Sequence, residues 1–162
     1  MAKVTIALGS NLGDPLEQLA QAKEFLTSLS DISPVSSSIY QSEPIGPSEE
    51  DFFNAVITID TVLQPNELFQ ALKQQEKKQG RPSRYPKWES RTIDLDIIAY
   101  DDLVLQTDTL IIPHKEYGQR LFVLLPLQEI HPGWSDPITG TPIEAIIKGA
   151  QTMRITKTEL SW

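Results

Sequence analysis

The sequence predicts an α+β fold: a ferredoxin-like βαββαβ antiparallel sheet with helices on one face and a C-terminal helical extension. Three observations predict it. Segments of period-two alternation and segments of helical spacing follow one another as strand, helix, strand, strand, helix, strand. Two helix starts carry proline at the first helical position with an acid two residues on, Pro15-Leu16-Glu17 and Pro65-Asn66-Glu67. A further capping box, Thr141-Pro142-Ile143-Glu144, lies beyond the last core strand.

Each element has its own reason. Residues 3–8, KVTIAL, alternate and are rich in β-formers, so they read as a strand. GSNLGD turns the chain, and Asp14 caps a helix whose Leu19, Ala22, Leu26 and Leu29 form one buried stripe. Residues 34–41 read as one strand, and residues 42–51, SEPIGPSEED, are too rich in proline, glycine and charge for regular structure. Residues 52–60, FFNAVITID, are a strand, and a helix from Pro65 is ended by Gly80. Residues 81–91 form a second long loop, and such loops in a compact domain are usually functional. TIDLDIIAY is the fourth strand, which Asp101-Asp102 turns toward a short partner, LVLQ. RLFVLLPLQEI is a helix or a buried segment, which periodicity does not decide, and Gly149 closes the last helix.

The 162 residues, 40% hydrophobic and 22% charged, fit one domain over 1–162 with a core of its own. There are no cysteines, which excludes disulfides and thiolate metal sites. No secretory h-region and no bilayer-spanning run is present, so a cytoplasmic protein is expected. The net charge of −8 argues against a nucleic-acid polymer as partner. Positive charge is gathered locally in Lys77, Lys78, Arg81, Arg84, Lys87 and Arg91, as for a small anionic ligand or for a solvated charge run.

The chemistry centres on Asp94 and Asp96. Alternation puts Thr92, Asp94, Asp96 and Ile98 on one strand face and Ile93, Leu95, Ile97 and Ala99 on the other. Two carboxylates at i and i+2, roughly 6–7 Å apart along a strand, repel unless something neutralises them. Mg²⁺ does so with one or two carboxylates plus water and phosphate oxygens; pairing with arginines or exposure on an edge are the alternatives. Arg81, Arg84, Lys87 and Arg91 stand just upstream with Tyr85 and Trp88, groups suited to phosphates and to a flat base. Glu76 continues the buried line of Leu68 and Leu72, so its carboxylate points into the protein beside the cationic loop or pairs with an arginine there. Of the two histidines, His114 suits the rim of a site and His131 a turn. There is no P-loop and no G-x-G-x-x-G. Residue patterns alone therefore lead to a metal–nucleotide site, with a non-catalytic ferredoxin-like binding module or another D-x-D transferase as alternatives.

RTIDLDII after a Trp-containing basic loop, GSNLGD at the first turn, EPIGP, FFNAV, and IPH before RLFVLLPL together resemble the 6-hydroxymethyl-7,8-dihydropterin pyrophosphokinases (HPPK) of folate biosynthesis. The likeness runs through nearly the whole chain, in order. It implies ATP as co-substrate, two Mg²⁺ ions, and transfer of pyrophosphate to the hydroxymethyl oxygen of the pterin with release of AMP, in a cytoplasmic monomer. By the same resemblance Asp94 and Asp96 match the Mg²⁺ ligands, and Arg81 and Arg91 match arginines that assist transfer. Glu76, Arg84, Trp88, Ile97, His114 and Arg120 match the ATP side. Asn11, Ser42, Ile45, Phe52, Asn54 and Phe122 match the pterin side, Asn54 through its amide and the two phenylalanines as stacking walls. Arg84 stands one position later than the second loop arginine of many relatives, with Ser83 in its place.

Overall fold

The computed structural model describes residues 1–44, 50–80 and 92–162. In chain order the elements are β1 (Ala2–Ser10), α1 (Pro15–Leu29), β2 (Val35–Ser36), β3 (Tyr40–Ser42), β4 (Phe52–Thr61), α2 (Pro65–Lys78), β5 (Asp94–Tyr100), β6 (Leu105–Gln106), β7 (Ile111–Ile112), a 3₁₀ turn (Tyr117–Gln119), α3 (Leu121–Ile130), α4 (Ile143–Gly149) and β8 (Ile155–Lys157). The capping predictions at the first two helices hold. Asp14 accepts from the Glu17 amide at 3.2 Å, and Glu67 accepts from the Gln64 amide at 2.9 Å. These bonds satisfy amides that a helix start leaves without a partner.

The main sheet runs β5-β1-β4-β3-β8, with β2 also on β4, and its pairs are antiparallel. Two apolar layers sandwich it. On one face Val4, Ile6 and Leu8 of β1 meet Leu19 and Leu26 of α1 and Leu68 and Leu72 of α2. On the other, Ala7, Val56 and Ile98 meet Val123, Leu124 and Leu127 of α3 and Ile143 of α4. The first two helices thus share one face, and the C-terminal helices cover the opposite one. α3 is apolar over most of its length, so burial rather than an amphipathic stripe makes it a helix.

The box read at Thr141–Glu144 does not form, since α4 begins at Ile143 with Pro142 as its N-cap and no side-chain cap bond. Three further expectations need correction. The predicted strand over residues 34–41 is two short strands. Between them Ser37 gives its amide to Val56 O and its hydroxyl accepts from Val56 N, both at 2.9 Å. The Ser38 amide and hydroxyl go to the Glu129 carboxylate instead of to a neighbouring strand. Serine side chains compete with the ladder in this way, and the strand bends there. Second, LVLQ does not pair with the strand before it: Leu105 and Gln106 pair with Ile112 and Ile111. Asp101, at φ 47°, turns the chain back onto β1 by exchanging bonds of 2.8 Å with Lys3. Third, alternation on β5 stops at a bulge. Ile6 faces Ile97 but Thr5 faces Ala99, so one extra residue is accommodated and Ala99 moves to the face of Asp96 and Ile98. β8, pairing with β3 at the far edge, was not foreseen; three residues are too few to show a period.

Glu129 ties α3 to the bent edge. It accepts from Ser38 N at 3.1 Å, Ser38 Oγ at 2.8 Å and Tyr40 OH at 2.9 Å, with Lys157 Nζ 3.8 Å away. Burial alone pushes its pKa up, but these hydrogen bonds and Lys157 outweigh that and hold the carboxyl below its ordinary value of 4.5. Its stabilisation is therefore complete above that value and is lost as pH falls through the lower, folded pKa. Glu129→Gln is expected to cost about 1–2 kcal/mol in urea unfolding at neutral pH. The deficit should shrink as the pH is taken below 4.5 and through the lower, folded pKa, where the parent carboxylate is itself protonated. A deficit that stayed constant over that range would contradict the assignment.

Candidate active site

The site rests on the register of β1 between β4 and β5. Directly opposed residues of antiparallel strands share a face. Gly9 lies opposite Asp94 on one side and Asn54 on the other, and Asn54 lies opposite Tyr40. One row therefore crosses four strands as Asp94, Gly9, Asn54 and Tyr40. The next row inward is Asp96, Ala7 and Val56. Phe52 opposes Ser42 and shares the face of Asn54. Both aspartates thus stand on the α3 side of the sheet, as alternation predicts.

Glycine is required in the middle of that row. A Cβ at Gly9 would come within 3.2 Å of Asn54 Oδ1 and 3.9 Å of Phe52. Its absence lets the Asn54 amide lie across the strand. Asn54 is 2% exposed, and its Nδ2 donates to Ser42 Oγ at 2.8 Å and weakly to Tyr40 O at 3.5 Å. These bonds orient the amide and turn Oδ1 toward Gly9. Ser42 acts here through its hydroxyl.

Above this floor stand residues leading into and along α3. Arg120 pairs with Glu116 and sits 5.6 Å from the Phe122 ring. With Glu43, Lys115 and Met153 they line a cavity of about 470 Å³. A second cavity of about 260 Å³ opens along the outer edge of β5, lined by Phe69, Leu95, Asp96, Ile97, Leu110 and His114. Ile97 is 4% exposed and belongs to the core, so it offers little side-chain surface to this cavity. His114 is held by its own amide, which donates to Ile98 O at 3.0 Å, and by Nδ1, which accepts from the Glu116 amide at 3.1 Å. Its neutral ring therefore carries the proton on Nε2. Burial lowers its pKa, and the nearby Asp96 carboxylate opposes that shift.

Glu76 is 2% exposed and does point inward, but toward β5: it accepts from the Leu95 amide at 2.8 Å. Asn11 is 3% exposed and donates to Glu50 O at 3.2 Å. It lines a different cavity, of about 750 Å³, with Gly13, Gln41, Asp51 and Phe53. Arg154 stands between the residues flanking 45–49. Its guanidinium grips Asp51 through two bonds of 2.8 and 3.1 Å, and its amide donates to Glu43 at 2.8 Å.

The structure therefore gathers Asp94, Asp96, Asn54, Phe52, Ser42, Phe122 and Arg120 on one side of the sheet. It puts His114 and the Ile97 main chain at the adjoining edge and sets Asn11 apart. Arg81, Arg84, Trp88, Arg91 and Ile45 lie outside the described residues. Gly9, Lys73, Phe69 and Arg154 were missed. Gly9 left a trace as the first residue of GSNLGD, read as a turn although β1 runs on through Ser10, and Lys73 as a cation one turn before a buried acid.

No cluster of three or more acidic or histidine side chains stands together among the described residues. Two carboxylates such as Asp94 and Asp96 are groups that could hold a hard cation like Mg²⁺, which draws its remaining ligands from water and phosphate. No helix among the described residues is long and apolar enough to cross a membrane.

Comparison with known proteins agrees with this architecture. Residues 5–132 match the model of the family described as 7,8-dihydro-6-hydroxymethylpterin-pyrophosphokinase (HPPK). The chain is 44% identical over 132 residues to a 2-amino-4-hydroxy-6-hydroxymethyldihydropteridine pyrophosphokinase of Haemophilus influenzae, covering 80% of this chain and 82% of the relative. It is 41% identical over 127 residues to the protein of that name from Bacillus subtilis, covering 77% and 75%. Among solved structures, the Plasmodium falciparum HPPK-DHPS wild type with pteroate superposes with a TM-score of 0.71 over 91% of this chain, at 12% identity. This chain spans 44% of that longer one, and the likeness concerns the fold. With a family match over residues 5–132 and relatives above 40% identity along most of its length, the chain belongs to the 7,8-dihydro-6-hydroxymethylpterin-pyrophosphokinase family.

Proposed function

We propose that this protein, acting as a single unit over residues 1–162, transfers pyrophosphate from ATP to 6-hydroxymethyl-7,8-dihydropterin, releasing AMP, as a step of folate biosynthesis. The observation that carries the reading is the row Asp94, Gly9, Asn54: a carboxylate and an oriented amide on one sheet face, kept apart by a residue without a side chain. Their backbones are two strand spacings apart, about 10 Å, which leaves room for a phosphate chain to meet a hydroxymethyl arm. The strand order, with β1 central between β4 and β5, supports the ferredoxin-like arrangement as well.

The residues divide the work. The pterin ring is flat, with apolar faces and a polar edge, so Phe52 and Phe122 suit its faces and Asn54 its edge. Ser42 holds the Asn54 amide so that Oδ1 accepts from the pterin edge; Asn11 and Ile45 are assigned to the pterin by the family pattern alone. The outer edge of β5 at Ile97, beside Phe69 and His114, suits the adenine through main-chain groups. His114 Nε2–H, Arg120 and the loop residues Arg81, Arg84 and Arg91 offer donors to phosphate oxygens, with Trp88 covering the nucleotide. Asp94 and Asp96 would hold Mg²⁺, two ions on the family pattern, which neutralise phosphate charge and lower the pKa of a bound hydroxyl. The pterin oxygen attacks the β-phosphorus, the bond from that phosphorus to the α-phosphate bridging oxygen breaks, and AMP leaves with it. The hydroxyl proton passes to an aspartate or to water. Exclusion of water by the aromatic walls keeps the transfer from becoming hydrolysis. The substrates are small molecules; neither nucleic acid nor membrane is required, and the reading is of a cytoplasmic monomer.

Purified protein with Mg-ATP and the hydroxymethyl pterin is expected to form AMP in step with pterin diphosphate, with separated nucleotides as the readout. ADP in place of AMP, or no turnover in folded protein, would refute the reading. Asp96→Asn should keep its fold and lose at least about 10²-fold in kcat, since it removes charge where phosphate charge must be neutralised. Asn54→Ala should act differently, raising the apparent KM for the pterin about tenfold through one lost buried hydrogen bond while the KM for ATP stays near the parent value. Equal rises in both would place Asn54 outside the pterin site.

A further inference from the structure

Asp94 is the first residue of β5, and β5 is the outer strand of its sheet. The ladder with β1 restrains only one side of it. On the other side an edge strand presents every second amide and carbonyl outward. Leu95 lies between the two aspartates, and both of its outward groups are taken up by α2. Its N–H donates to Glu76 Oε2 at 2.8 Å, and its carbonyl accepts from Lys73 Nζ at 3.4 Å. The same ammonium lies 3.2 and 3.3 Å from the two Glu76 oxygens. One acid and one amine on successive turns of a helix thus do for Leu95 what a further strand would do.

This is a costly way to fill a core position. The Glu76 side chain is 3% exposed, and Lys73 keeps about a third of its surface in water. Burying such a pair costs desolvation that a leucine at position 76 would avoid. What the pair adds is a two-point hold on one residue, through the peptide group on each side of it, and those two peptides fix the spacing and direction of the flanking carboxylates. Sites that bind a metal through few protein ligands depend on such support.

We propose that Lys73 and Glu76 are positioning residues that clamp Leu95 and so hold Asp94 and Asp96 in the geometry that receives the metal. This rests on the reading of those aspartates as metal ligands. Glu76 then serves the nucleotide side of the site through the backbone of β5, and Lys73 joins it as a partner that the sequence did not mark.

The test is a Mn²⁺ titration by electron paramagnetic resonance in the presence of α,β-methylene-ATP, with amide exchange at Leu95 followed by NMR without metal. Glu76→Met is expected to speed Leu95 exchange and to weaken Mn²⁺ binding about 10- to 100-fold, the usual effect of losing a supporting group. Glu76→Gln keeps an oxygen for the Leu95 amide and should recover most of that affinity. Lys73→Met should shift both readouts in the same direction by less, and it carries the test if Glu76→Met does not fold. Parental Leu95 exchange and Mn²⁺ affinity in Glu76→Met, or in Lys73→Met where that variant carries the test, would overturn the clamp, as would a Gln variant as weak as the Met one. If Asp94→Asn with Asp96→Asn bound Mn²⁺ as tightly as the parent, the metal reading would fail and the proposal with it. Leu95 exchange, measured without metal, tells these failures apart.

Discussion

The arrangement depends on the register of β1. Its residues pair on both sides, so a slip of one position would turn every side chain of a neighbour to the wrong face. The apolar pattern fixes that register twice over. Val4, Ile6 and Leu8 must meet α1 and α2, while Ala7 must meet α3. With those faces satisfied, Gly9 falls between Asp94 and Asn54. Packing of the core and assembly of the polar row are one constraint seen at two ends of the same strand.

From that constraint the polar groups acquire their order. The aspartates stand where the sheet runs out, next to the segment that precedes β5, and the carboxylate of Glu76 backs their strand from the far side. The Asn54 amide is fixed by a serine on the next strand. α3 closes the face with Arg120 and Phe122 near its start, and Glu129 near its end bonds to the bent edge. Rigid elements thus hold the groups that must be exact, while the residues between them connect to the segments 45–49 and 81–91.

Much of this was legible in the sequence because it follows from simple periods. Alternation placed Asp94 and Asp96 on one face, helical spacing put Glu76 on the buried side of α2, and capping chemistry located both early helix starts. What escaped depends on tertiary context. The bulge at Ile98 breaks an unbroken apolar run that carries no sign of it. The bend at Ser37 and Ser38 arises from a glutamate some ninety residues away, as the 91-residue separation of its bonds records. β8 is strand only because β3 offers it an edge. Gly9 and Lys73 are common residue types whose meaning lies in what they approach. The HPPK resemblance supplied the substrate; no period or spacing names a pterin.

The most direct test is a crystal structure with Mg²⁺, α,β-methylene-ATP and the hydroxymethyl pterin bound together. Metal should lie at about 2.0–2.1 Å from oxygens of both Asp94 and Asp96. The pterin edge should lie within hydrogen-bond reach of Asn54, with Gly9 beneath the gap between them. A metal held by other residues, or a pterin bound away from the Asn54 face, would contradict the account.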